Sequence, residues 1–164
     1  MSGRGGFLAL VALLAASTGA ASDPRDRAEA AEWAVAMSVP PVAPGATSKA
    51  RLEVTSRAGY HVNLDYPMSF RPSAEGTVAL PQSRIGLRPI STSPCAAGPK
   101  ESCAVSLEVP FTAPQEGESR VAGALAFSVC SAERCLIEKV SLLARAPLVP
   151  PGEGEGPAAA SSER

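Results

Sequence analysis

Four cysteines, Cys95, Cys103, Cys130 and Cys135, are the residues of this chain best suited to chemistry. A cysteine thiolate is the nucleophile of disulfide exchange, and cysteine pairs also staple small exported domains. Four cysteines allow three pairings. Cys95 and Cys103 bracket AAGPKES, whose Gly98-Pro99 step marks a turn. Cys130 and Cys135 bracket the polar turn Ser131-Ala132-Glu133-Arg134, where facing hairpin residues bring their Cβ atoms to about 4.5–5.5 Å. Local pairing, Cys95 with Cys103 and Cys130 with Cys135, is therefore the simplest arrangement. Each loop is short, so each bridge stabilises the fold by only roughly 2 kcal/mol in the chain-entropy description. Spacing alone leaves two roles open for each pair, a local structural bridge or a pair kept for exchange chemistry.

The remaining candidates are few. His61 is the sole histidine, which removes metal clusters and nucleophile–histidine pairs built on several imidazoles. It is expected in a hydrogen-bonded structural role, with tuning of a nearby thiol as the alternative. Met37 and Met68 are the methionines left beyond Met1, too few for a copper carrier; no cofactor is expected. Trp33 reads as core. Arg134, next to Cys135, could favour a thiolate there, although it and Glu133 read more simply as solvated turn residues.

These residues need elements to hold them. Short runs of alternating apolar and polar residues recur between Pro, Gly, Ser and Asn, the pattern of antiparallel strands. They fall at 33–39, 50–56, 60–63, 77–80, 85–90, 104–111, 120–130 and 135–146. Sixteen prolines forbid long helices. The fold class is all-β, with an immunoglobulin-like antiparallel β-sandwich as the natural architecture. The last two strands are clearest: VAGALAFSVC and CLIEKVSLLARAPL form a hairpin with a cysteine at each shoulder.

Residues 1–22 read as a secretory signal: Arg4, the apolar run FLALVALLAA and the small residues STGAAS. Residues 23–32 read as a flexible leader, 33–147 as one domain, and 148–164, rich in Pro, Gly, Glu, Ala and Ser, as a disordered tail. No later run is long enough to span a bilayer once the signal is removed. The net charge of −1 and the lack of a basic cluster argue against nucleic acid as a partner. Arg exceeds Lys, and Ala, Pro and Gly are abundant, a bias associated with GC-rich bacterial genomes. The expectation is an exported, soluble, periplasmic monomer.

The segment AFSVCSAERCLIEKV resembles the cysteine hairpin in the N-terminal periplasmic domain of DsbD-type thiol:disulfide interchange proteins: an aromatic residue before a Cys, a short polar turn, and a second Cys opening the next strand. GYHVNLDYPMSF, at 59–70, similarly looks like an early element of that domain, and the resemblance covers roughly residues 33–148. It implies an immunoglobulin-like domain whose hairpin cysteines, Cys130 and Cys135, shuttle between dithiol and disulfide, leaving Cys95 and Cys103 as a structural bridge. It also implies an aromatic residue covering the pair, which points to residues 63–72; Tyr60, Tyr66 and Phe70 are the aromatics in question, with sandwich core as their alternative role. Three departures stand out, the first being that Cys95 and Cys103 lack a clear counterpart in the family's motif. Leu136-Ile137-Glu138-Lys139 follows where family members often carry prolines, and the family's membrane and thioredoxin-like domains have no counterpart here. The expected partners are then thioredoxin-like periplasmic proteins or a separate membrane electron donor. The alternative is a non-catalytic immunoglobulin-like binding or structural domain with two structural disulfides.

Overall fold

A computed structural model describes residues 25–57, 59–94 and 101–149. Ten strands are present and no helix occurs among the described residues. They are β1 (Arg27–Glu29), β2 (Trp33–Ser38), β3 (Thr47–Ser56), β4 (His61–Asn63), β5 (Ser69–Pro72), β6 (Ile85–Gly86), β7 (Ser91–Pro94), β8 (Glu101–Thr112), β9 (Ser119–Cys130) and β10 (Cys135–Ala146). Every strand pair is antiparallel.

The pairings define two layers joined at one end. One runs β1-β2-β3-β8 with β7 on the far side of β8; the other runs β10-β9-β5-β6. The three-residue β4 pairs with both β8 and β9 and so joins them. Alternation explains what lies between the layers. Trp33, Val35 and Met37 of β2, Leu52 and Val54 of β3, and Val105, Leu107 and Val109 of β8 turn inward, opposite Leu125, Phe127 and Val129 of β9 and Leu142 of β10. Trp33 and Phe127, on strands that do not pair with each other, meet edge to face at 5.2 Å between ring centroids, the arrangement favoured by aromatic quadrupoles. This is an antiparallel β-sandwich, as the strand pattern predicts.

Five local findings differ from the sequence expectation, the first being β5, which the strand pattern does not mark. The segment read as a flexible leader carries β1, paired with β2 from Arg27↔Ala36 to Glu29↔Ala34. Its inward residues, Ala28 and Ala30, are small, so no apolar stripe advertises the strand. Residues 77–80 contribute only a bridge, Ala79↔Thr112, with Thr77 N and Val78 N both donating to the single acceptor Arg120 O instead of forming a ladder. Residues 85–90 shorten to β6, since Pro89 lacks the donor a ladder needs, and Ser91–Pro94 forms β7 instead. Order also continues past residue 147, where Leu148 bridges to Val42.

Candidate functional site: the cysteine hairpin

β9 and β10 pair without slippage from Ser119↔Ala146 to Cys130↔Cys135. The turn beyond is held by its own first residue. Ser131 N donates to Arg134 O at 2.8 Å. Ser131 Oγ accepts from Glu133 N and Arg134 N at 3.2 and 3.3 Å and donates to Glu133 Oε2 at 2.9 Å. A serine that binds the backbone two and three residues on is a turn builder. Because Ser131 and Arg134 share a ladder bond, the next pair inward is of the type without one, where Cα atoms approach most closely. That pair is Cys130 and Cys135, with Cα atoms 4.0 Å apart and a disulfide between them.

The two sulfur-bearing residues are not equivalent. Cys130 is 4% exposed, whereas Cys135 is exposed. The topology supplies the reason: β9 is an inner strand at this point, flanked by β10 and β4, while β10 is an outer one. Val129 turns into the core, so Cys130 lies on the opposite, outer face of β9. There it is directly opposite Cys135 on one side and His61 of β4 on the other. Ser128 Oγ, two residues back on that face, stands 4.0 Å from Cys130 Sγ. Ile137 follows Cys135 on the same face and is 69% exposed.

Arg134 reaches across to the residues that precede β4 and β2. Its guanidinium donates to Tyr60 Oη at 3.3 Å and lies 3.9 Å from Glu32 Oε1. The hydrogen bond to Tyr60, with Glu32 and Glu133 adding attraction, pushes the Arg134 pKa upward. Of the three aromatics singled out by sequence, Tyr60 reaches this turn. Phe70 is fully buried, paired in register with Leu125, and Tyr66 sits with Met68, Leu87 and Arg88 around a separate cavity.

Cys103 lies on β8 and is disulfide-bonded; its carbonyl accepts from Ser56 Oγ at 3.2 Å. Cys95 lies outside the described residues. Sequence reasoning places Cys130 and Cys135 at the hairpin shoulders, and period-two alternation puts Ser128 on the face of Cys130, but it names no particular thiol for His61 to stand beside. Nothing in the spacing of His61 and Cys130 along the chain signals their meeting; the register of β4 on β9 alone makes them neighbours.

Fold and hairpin together define an antiparallel β-sandwich with an asymmetrically exposed disulfide at one end. No protein-family model, curated protein or solved structure matches the chain. Among the described residues, no helix is long and apolar enough to cross a membrane, and no group of three or more His, Cys, Asp or Glu residues is placed to hold a metal ion.

Proposed function

We propose that this chain is a periplasmic thiol–disulfide exchange module similar to the N-terminal domain of DsbD-type proteins, working through Cys130 and Cys135. The observation that carries the reading is the unequal exposure of the pair. A redox pair needs one sulfur that a partner can reach and one that a partner cannot. The first forms the mixed disulfide and the second resolves it. An exposed Cys135 beside a buried Cys130 supports that division of labour.

In the reducing direction, the Cys135 thiolate attacks one sulfur of a partner disulfide and expels the partner's other sulfur as a thiolate. Cys130 then attacks Cys135 Sγ, closes the hairpin disulfide and expels the partner's remaining thiolate. Two electrons pass to the partner and the hairpin is oxidised. Thioredoxin-like periplasmic proteins, or a separate membrane electron donor recharging the pair, fit this chemistry. The signal-like residues 1–22 support an exported address.

The test is a redox titration of the full mature chain against glutathione and dithiothreitol, with each cysteine pair resolved by peptide mapping. The Cys130–Cys135 pair should titrate well above about −300 mV, the range below which inert structural disulfides of secreted proteins fall. Cys130→Ser should trap a mixed disulfide with a thioredoxin-like partner through Cys135, and Cys135→Ser should not. A strongly reducing potential with no trapping by either variant would leave a structural β-sandwich with a local staple.

A further inference from the structure

We infer that His61 is the proton carrier for the buried sulfur, Cys130. The inference rests on the exchange reading above and adds to it the group that makes the second step workable. In the oxidising half-cycle, Cys130 leaves as a thiolate when an incoming thiolate takes Cys135; in the reducing half-cycle it must become a thiolate to attack. At 4% exposure that charge is formed away from water. Burial disfavours the charged form of a thiol and raises its pKa. Without a neighbour to give and take the proton, the buried sulfur would be a poor leaving group and a poor nucleophile.

The strand register supplies the neighbour. His61 is the cross-strand partner of Cys130, and directly opposite residues share a face with Cβ atoms about 4.5–5.5 Å apart. Cys130 is thus bracketed on one face by Cys135 and by the chain's sole histidine. The Ser128 hydroxyl also stands at Cys130 Sγ, but a serine does not ionise in this range. Charged groups stand around this end of the sheet, Asp65 just beyond β4 among them. Arg134 is held by Tyr60 and Glu32, Glu133 accepts from Ser131, and Arg57 pairs with Glu29. On the far side of β4, the β8 register presents Ser102, whose hydroxyl donates to Ser93 O and Ala104 O, beside the disulfide-bonded Cys103.

The steps balance. When a thiolate attacks Cys135 Sγ, the Cys130–Cys135 bond breaks, its electron pair stays on Cys130, and the His61 imidazolium protonates that sulfur. In the return step, neutral His61 takes the proton from the Cys130 thiol. The resulting thiolate attacks Cys135 Sγ, re-forms the hairpin disulfide and expels the partner thiolate.

The experiment uses the full mature chain with the hairpin reduced, and oxidised glutathione as the partner. Ring closure is followed by rapid acid quench and mass spectrometry, as loss of the Cys135–glutathione adduct, between pH 5 and 8. Closure in the native protein should vary little across the upper half of this range. His61→Gln should slow closure about 100-fold at neutral pH, the low end of what a positioned acid–base group contributes. It should also restore a rise of about tenfold per pH unit, and added imidazole should recover part of the rate. The first attack by Cys135, measured in Cys130→Ser with and without His61→Gln, should change less than twofold. His61→Asn, tested alongside with thermal melts of each variant, separates loss of fold from loss of the base. Closure by the native protein that rises tenfold per unit throughout, or unchanged closure in both variants, overturns the role of His61. Failure of the exchange reading looks different: a hairpin potential below about −300 mV and no adduct on Cys135 in any variant.

Discussion

Removing the hairpin disulfide gives a prediction whose size follows from its place in the chain. Cys130 and Cys135 are separated by 5 residues, so the bond closes a loop of roughly six. The chain-entropy relation then gives about 7.4 cal/mol/K of lost unfolded-state entropy, or about 2.2 kcal/mol at 25 °C. Cys130→Ala/Cys135→Ala also deletes a buried Sγ, worth about 0.8 kcal/mol if counted as one buried group. Urea unfolding of the double variant should therefore show a loss of about 3 kcal/mol, with an m-value no smaller than that of the native chain. A thermodynamic cycle ties this to the potential. The native fold should hold the disulfide about 40-fold more tightly than the unfolded chain does, which for a two-electron couple is about 45–50 mV. A peptide spanning residues 128–137, titrated against glutathione beside the native protein, measures that gap. A native pair more easily reduced than the peptide, or a gap beyond about 100 mV, would refute the reasoning, because the fold would then be acting on the bond through more than loop closure.

Two further outcomes test the frame around the site. Gly123→Ala places a Cβ against Arg71 O and 2.6 Å from the Phe70 ring, which is fully buried; overpacking against backbone and a core aromatic should cost about 2–3 kcal/mol and lower the melting temperature accordingly. Phe127→Ala empties a fully buried position and removes the edge-to-face contact with Trp33, so denaturant unfolding should show a loss of about 4 kcal/mol, and the fluorescence of the sole tryptophan should shift as its packing loosens.

The long strands are legible in the sequence because their inward residues are large and regularly spaced. Val105, Leu107, Val109 and Phe111 announce β8, and Val121, Leu125, Phe127 and Val129 announce β9. β1 is not, because Ala28 and Ala30 bury too little surface to mark a face. β5 and β7 are hidden for a different reason. Each has only four residues, and each becomes a strand by adding to a neighbour, β9 or β8, rather than by its own alternation. The Cys130–Cys135 bond is readable from a turn of four residues with serine at its head. The outer-face environment of that bond is not. His61 reaches Cys130 through a long-range pairing, and the contrast in exposure between the two cysteines comes from which strand has a second neighbour.

The ends of the sheet bear on how this protein behaves in a crowded compartment. A strand with an unpaired side is a template for another chain, and long flat edges invite aggregation. Here the strand order begins with three residues of β1 and ends with two of β6, while β7 offers four. The long outer strand, β10, is blunted by other means. Leu143 N, midway along it, is already taken by Arg25 O, and exposed Lys139 and Arg145 stand on its outward face. A second copy approaching edge to edge would find short ladders, or along β10 a donor already taken and charged side chains, so no long, flat, apolar edge is offered to another copy.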